Sequence, residues 1–495
     1  MSSSDFHTLI IGAGFAGMSV AYMLDASGTA VIDRGEPFDP GQASANFSYK
    51  GRDYLPGHFE PLIDAEACVM QSSDIANRAE LPLSMMSTNV TTFVQGGISN
   101  WWGGYSARIT RKTFEVPGEV AWPIGYDELV PYYEQAERLM HVHGDPTAGD
   151  YSIFGELPGW DYWRSYFQSM FPLARVTPQA KNVSDHDTHN FGLCIGNGHC
   201  GLCVNDAKAR PANVFPYIDV HGNSIAEEIL FEGDRAVAAR VRSDGELLEI
   251  SFDRLVVAAG GIENVTLLKR SKLPQGVRTA RIGSSYQDHT ACEVLGILPE
   301  AFRHFHLGAE GAVEIPELSG YFHGIEVKTL MLTVPPSAEQ TAALVQSGDS
   351  PVSRTIHLNK LLPRIARFYL QMEVPPEWGV ELRSRGQRSF IYSLPYLEHC
   401  PILDAVVMEV TRKMIDAGIM IAKIVPHHRN GFGGHHYSGT TAMASGPHAV
   451  VTSNQRLIGT SNVYLNGGSV IPRCGGAGPT LSIVALGLRL GEHLR

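Results

Sequence analysis

The sequence predicts an α/β fold that opens with a dinucleotide-binding unit, and three observations carry that expectation. The first is Thr8-Leu9-Ile10-Ile11-Gly12-Ala13-Gly14-Phe15-Ala16-Gly17, which reads as a short buried strand, a glycine turn and a helix start. Its glycines hold the spacing of a dinucleotide fingerprint. Gly12 permits the sharp turn, Gly14 lets backbone approach a pyrophosphate, and Gly17 lets the helix pack close to the strand. The unpaired N–H groups and positive dipole end of the new helix then face phosphate. The second observation is a strand, Thr29-Ala30-Val31-Ile32, that ends at Asp33, where a carboxylate can bond a ribose hydroxyl. The third is Arg254-Leu255-Val256-Val257-Ala258-Ala259-Gly260-Gly261-Ile262-Glu263-Asn264, another buried strand running into glycines and a helix from Val265 to Arg270. It suits either a plain α/β unit or a strand passing beneath a nucleotide.

Composition narrows the class. A chain of 495 residues has room for two domains or one large, inserted one. With 44% hydrophobic and 18% charged residues, its profile is that of a globular protein. The net charge of −12 argues against nucleic acid or anionic membrane as a partner. No apolar run approaches the ~18 residues of a membrane span. The chain enters its first strand without a basic n-region, a twin arginine or a cleavage site, and a cytoplasmic location is the expectation. Seven cysteines, an odd number with one cluster, do not make a disulfide framework.

Between the strands, residues Glu36 to Pro61 read as a loop wrapped over the nucleotide. Gly96-Gly97-Ile98-Ser99-Asn100-Trp101-Trp102-Gly103-Gly104 either lets backbone approach something flat or charged, or forms a tight loop around a buried tryptophan. Residues 122–144 contain a helix, with Asp127 as its N-cap and Leu129, Tyr133, Ala136 and Met140 on one face. Cys194, Cys200 and Cys203, with His199 among them, could hold zinc or an iron–sulfur cluster. The missing fourth cysteine favours a glycine-rich loop with free thiols or one local disulfide. Ile282 to His289 forms a polar turn. From about 292 to 400 strand patterns alternate, as in Ile325–Leu330 and Phe368–Met372. The linker between them, residues 335–351, is a candidate lid. Residues 402–422 read as an amphipathic helix with Leu403, Val406, Val407, Val410 and Met414 as its stripe and Gly418 weakening its end.

The densest chemistry lies in the last sixty residues. Gly433-Gly434-His435-His436-Tyr437-Ser438-Gly439-Thr440 sets two histidines in a glycine-rich loop. Asn466-Gly467-Gly468 and Arg473-Cys474-Gly475-Gly476-Ala477-Gly478-Pro479-Thr480 follow, and a helix capped by Thr480 closes the chain. Without the spacing of a metal-ligand set, the histidine pair is not read as a zinc site. A histidine titrating near neutrality can instead take a proton from an alcohol while hydride leaves the carbon. The new helix N-terminus can stabilise negative charge growing on an acceptor. Arg473 suits a carboxylate, phosphate or developing alkoxide, or else an ion pair that supports its loop.

Taken together, the segments Gly12–Gly17 with Asp33, Gly96–Gly104, Trp122–Met140, Val257–Asn264 with Gly283–His289, and His435–Thr480 resemble the glucose–methanol–choline (GMC) family of FAD-dependent oxidoreductases, in particular the branch with pyranose oxidases and bacterial sugar dehydrogenases. The resemblance implies a Rossmann-like FAD-binding domain built from discontinuous segments (1–150, 205–295 and 436–495). It adds an α+β substrate domain (151–204 and 296–435), an antiparallel sheet covered by helices. Family members oxidise an alcohol to a carbonyl by hydride transfer to flavin N5 and pass electrons to oxygen or another acceptor.

By position, His436 matches the catalytic base, and His435 is a neighbour that touches flavin or substrate. Gly12, Gly14, Gly17, Asp33, Arg34, Gly97, Ser99, Asn100, Trp102, Gly103, Ala259, Gly260, Asn466, Gly467, Pro479 and Thr480 fall where the family meets FAD. Trp101 stands where relatives with covalent FAD carry a histidine, so FAD is expected to bind non-covalently. No metal is assigned, and an iron–sulfur cluster at Cys194, Cys200 and Cys203 is disfavoured because the spacing differs from that of the sugar dehydrogenases. Two departures stand out: Gly478 occupies the place of the family's second catalytic Asn or His, and Arg473 and Cys474 replace Thr and Ser. His436 therefore works alone, or His435 or Arg473 substitutes, or alcohol oxidation has given way to a lyase or tailoring reaction. The expected partners are a polar, sugar-like small molecule and an electron acceptor, with homo-oligomerisation left open.

Overall fold

The computed structural model describes residues 6–38, 94–145, 155–156, 160–183, 190–194, 200, 203, 205–300, 312–332, 364–385, 388–393, 398–429 and 435–495. The lid expected at 335–351 and the wrapping loop beyond residue 38 lie outside them.

The opening unit forms as its sequence dictates. Strand Phe6–Ile11 turns at Gly12, whose φ of 108° favours glycine, and enters helix Phe15–Met23. Strand Thr29–Ile32 then pairs parallel with the first. Val220–His221 adds to one side of this pair. On the other side lie the last residues of the long strand Glu246–Val257 and then Val463–Leu465, all parallel. The first half of Glu246–Val257 leaves the parallel sheet and pairs antiparallel with Arg235–Ser243, which pairs with Ser224–Glu232. In strand Phe6–Ile11 the successive residues Leu9, Ile10 and Ile11 are all buried, which is why it reads as a continuous apolar run rather than an alternating one.

A second sheet is antiparallel. Its order is Met420–Val425, Thr290–Ile297, Ile365–Met372, Ile325–Leu332, Ala312–Glu314 and Arg175–Val176, with Gly320–Phe322 paired to Ile325–Val327. Residues Ile325 to Met331 are buried without interruption, so this strand lies deep in the sheet instead of having one wet face.

The closing helix, Thr480–Leu494, packs against the first helix. The two approach so closely that a Cβ at Gly487 would stand 1.8 Å from Ser19 Oγ, and one at Gly491 2.5 Å from Met23 Cβ. This contact brings the N-terminal ends of both helices to one place, which positions the site.

Three expectations change in detail. Helix Tyr126–Leu139 is preceded by Gly125 as its N-cap; Asp127 sits in the first turn and pairs with Arg111 at 2.6 Å. Thr480 is the first helical residue, with Pro479 at the cap position. Helix Cys400–Asp416 stops well before residue 422. Gly418 (φ 85°) donates to the Ile415 carbonyl at 2.8 Å and Ile419 to that of Met414 at 3.0 Å, a Schellman closure. The chain beyond it becomes the edge strand Met420–Val425. The glycine ends the helix rather than weakening it.

Candidate active site

A cavity of about 550 Å³ runs from Asp33 and Arg34 at one end to His435, His436 and Tyr437 at the other. Its floor is backbone. Gly12, Gly14, Ala259 and Gly260 line it, with Gly97, Ser99, Trp102 and Gly103 along one wall and Gly467, Pro479 and Thr480 opposite. Gly17 lies beneath, not in, the cavity. A Cβ there would stand 1.9 Å from the Gly12 carbonyl oxygen, so its role is the close packing its spacing predicts.

The floor has the form of a dinucleotide cradle. A Cβ at Gly14 would approach Ser99 Oγ at 3.6 Å and Gly96 O at 3.7 Å, and one at Gly103 or Gly260 would meet nothing within 4 Å. The protein's own packing therefore leaves this space open to a bound group. Asp33 is fixed by two amides: its Oδ2 accepts from Ala13 N–H and its Oδ1 from Gly35 N–H, each at 2.8 Å. Burial raises its pKa against the pull of those bonds. Arg34, 3.4 Å from Glu263, stands beside it.

At the other end two histidines meet because two loops pair. Gln287 and Ser438 exchange backbone hydrogen bonds at 2.9 Å in each direction, an antiparallel bridge. Two residues along each strand from that bridge, His289 and His436 face one another, with Nδ1 to Nδ1 at 2.7 Å. Both loops are held by Asp288, whose Oδ1 accepts from the backbone N–H of His436 at 2.8 Å and of His289 at 2.7 Å. Burial pushes the Asp288 carboxyl up to about 7 despite these bonds. His435 is left-handed at φ 53°, a strained conformation for a side-chain-bearing residue, and its Nδ1 lies 3.1 Å from Tyr437 Oη.

Hydrogen-bond chemistry fixes the protons of this pair. Nε2 of His289 lies 2.7 Å from the carbonyl oxygen of Gly475. A carbonyl has no proton to give, so His289 Nε2 carries one and donates. In neutral imidazole the other nitrogen is then a bare acceptor. His436 must therefore donate from Nδ1, which leaves its Nε2 as an unprotonated lone pair. Both rings are neutral: burial pushes His289 down to about 4, and burial together with the neighbouring His289 and His435 lowers His436 well below its ordinary value. The bare Nε2 faces the space beside Gly478, where a Cβ would stand 3.4 Å from it and 3.8 Å from the Tyr105 ring.

Besides Gly17, three residues singled out in the sequence do not line the cavity. Asn100 is buried and donates to the carbonyls of Gln95 and Gly97. Asn466 donates to the Ala16 carbonyl at 2.8 Å, tying strand Val463–Leu465 to the first helix. Arg473 is buried with Nε 2.6 Å from Glu373, and it reaches Glu377 at 3.2 Å; of the readings left open for it, the ion pair is the one the geometry displays. Conversely, His289 and Asp288 carry no chemical signal of their own in the sequence. Their place in the polar turn before a strand, which is also the Gly283–His289 segment of the family resemblance, was all that hinted at them.

A glycine-lined cradle of dinucleotide form thus meets a buried imidazole in one cavity. Comparison with known proteins gives the class. Residues 414–487 match the family described as GMC oxidoreductase. An uncharacterised GMC-type oxidoreductase of Rhodococcus erythropolis is 24% identical over 79% of this chain and 80% of its own length. The fructose dehydrogenase large subunit of Gluconobacter japonicus is 22% identical over 98% and 97%. Among solved structures, pyridoxine 4-oxidase of Mesorbium loti superposes with a TM-score of 0.63 at 17% identity over 99% of both chains, which establishes a shared fold. Along most of its length the chain is thus similar to GMC-type oxidoreductases, and its C-terminal segment matches that family's model. Among the described residues no helix is long and apolar enough to cross a membrane.

Proposed function

We propose that this protein oxidises a hydroxyl of a sugar- or glycoside-like substrate to a carbonyl, with Nε2 of His436 as the general base. One observation carries this reading: the chain from the Gly475 carbonyl through His289 to His436, which leaves a bare nitrogen at the cavity. The cradle from Gly12 to Gly14, with Asp33, would hold the adenosine and pyrophosphate part of FAD. The loop Gly97–Gly103 and the segments at Gly467 and Pro479–Thr480 would hold its ring. When bound, FAD supplies a two-electron acceptor for the hydride of the carbinol carbon.

The substrate hydroxyl donates its proton to His436 Nε2. The resulting imidazolium keeps its Nδ1–H on His289 Nδ1, so the ring does not rotate as charge develops. Asp288, close enough that its carboxylate and the two rings group within 4.8 Å, lowers the cost of that charge. The N-terminal end of helix Thr480–Leu494 places positive dipole at the cavity, where negative charge is received. Gly478 offers no side chain, so a single base does the work and the space beside it admits a bulkier carbinol. We further propose that the parallel sheet with its cradle is the cofactor unit and that the antiparallel sheet supports the substrate side.

The test is anaerobic bleaching of the flavin by a panel of sugars, glycosides and aminoglycosides. Reduction by at least one member supports the reading. If every alcohol leaves correctly loaded protein oxidised, and a product forms at unchanged oxidation level, the lyase or tailoring alternative replaces it.

A further inference from the structure

Behind the tryptophan wall of the cavity, two lysines and two cysteines form a cluster that the oxidation reaction does not use. Lys181 and Lys208 are partners in an antiparallel bridge, and both are buried. The Lys181 ammonium donates to Cys200 Sγ at 2.8 Å. Lys208 Nζ donates to the carbonyls of Asn100 at 2.8 Å and Trp102 at 2.7 Å, in the loop that lines the cavity. Cys203 Sγ accepts the backbone N–H of Ala207 at 3.2 Å. Both sulfurs are thus hydrogen-bond acceptors. A thiol accepts poorly and a thiolate accepts well, and an adjacent ammonium lowers a thiol's pKa.

The lysines benefit in turn, since a buried ammonium is costly unless negative charge is near. Burial pushes Lys208 down to about 7, and Cys203 and Cys200 oppose that fall. Cys200 and Cys203 are half-buried, so small reagents reach them, and they stand in Cys-x-x-Cys spacing. That spacing recurs in dithiols that cycle with a disulfide.

We infer that Cys200 is a resting thiolate and that, with Cys203, it forms a redox-active pair that small-molecule disulfides oxidise. The Cys200 sulfur attacks one sulfur of the disulfide, and the first small thiol leaves. Cys203 loses its proton to solvent and attacks the Cys200 sulfur of the mixed disulfide, and the second small thiol leaves. Two electrons pass from the cysteine pair to the reagent, which ends as two thiols. This assignment is independent of the reaction proposed for the cavity.

The test uses the full chain loaded with FAD, with iodoacetamide and oxidised glutathione as probes and peptide mass spectrometry as readout. Alkylation of Cys200 should persist nearly undiminished from pH 8.5 to pH 6.5. It should slow about tenfold at pH 7 in Lys181→Met and recover in Lys181→Arg. Oxidised glutathione should yield a Cys200–Cys203 disulfide, and in Cys203→Ser it should stop at a glutathione adduct on Cys200. A Cys200 rate that falls in step with the ionisation of an ordinary thiol, or that is the same in Lys181→Met with FAD still bound, overturns the inference. So does iron in anaerobically purified protein with these thiols blocked.

Discussion

The two ends of the cavity are built by opposite means. At the cofactor end the working groups are backbone amides, and the sequence supplies them by omission, through glycines at 12, 14 and 17 whose missing side chains admit the ligand and the helix. At the histidine end the working group is a single nitrogen. Its state is set by residues far apart in the chain: His436, His289 and the Gly475 carbonyl. A cradle of the first kind tolerates changes around it as long as its turns survive. A base of the second kind depends on each link in a hydrogen-bond chain. The contrast predicts that substitutions at one end alter cofactor retention and those at the other alter rate and pH dependence, with little crossover.

The sharpest attempt to break this contrast is His436→Ala. Loss of a general base costs 10²–10⁴-fold, so flavin reduction should slow by about 1000-fold while the visible FAD spectrum and melting temperature stay near those of the parent. Equal reduction rates in stopped-flow would take His436 out of the reaction. Gly17→Ala attacks the other end. Its Cβ would stand 1.9 Å from a backbone oxygen, and the helix must shift away from the strand. Overpacking of this kind costs about 3 kcal/mol, so the expected outcome is a lower melting temperature and FAD lost on gel filtration. A stable, fully yellow variant would show that the helix need not pack so closely.

His289→Ala separates positioning from simple structural support. Its rate should fall about tenfold, as losses of orienting partners do. Its diagnostic readout is the acid limb of the rate. Burial and the neighbouring rings lower the pKa of His436, so in the parent the base stays free well below pH 6.5. Removing His289 opens the buried ring to water, and this relief of desolvation raises that pKa and moves the acid limb to higher pH. A limb that stays put would reduce His289 to a structural residue.

Stability should follow the same groups. Folded His289 and His435 are pushed down to about 4, while the unfolded chain binds protons near pH 6.5. Their contribution is therefore full above pH 6.5 and is lost as pH falls from there toward 4. Melting temperature measured against pH checks the sign.

How much of this was legible in the sequence follows from the same contrast. The cradle could be read because its parts are consecutive: the strand, the glycines at 12, 14 and 17 and the acid at 33 all fall within one βαβ unit. His436 could be placed by its surroundings in a matching segment. His289 could not be given a role, because nothing local says that residue 287 will bridge residue 438 and so carry the two imidazoles together. The same blindness to pairing made Asn100 and Asn466 look like cofactor ligands, when each amide instead ties one backbone segment to another. The end of helix Cys400–Asp416 lies inside the expected helix because apolar residues continue past Gly418 into the edge strand Met420–Val425, whose side chains stay partly or wholly exposed.

Arg473 offers the smallest expected effect on rate and the cleanest distinction between charge used for chemistry and charge used for architecture. It lies in the same segment as Gly478, yet its guanidinium is turned to Glu373 and Glu377. Burial pushes the Glu373 carboxyl up to about 7, and the arginine beside it opposes that rise. Arg473→Met should remove the partner of a buried carboxylate and cost about 3 kcal/mol of stability, since breaking a buried pair leaves one charge uncompensated. Flavin reduction in the protein that remains folded should stay within about threefold of the parent, because the loop bearing Gly475 is also held by His289 Nε2. A rate loss of a hundredfold without a change in melting temperature would reverse the assignment and make Arg473 part of the chemistry.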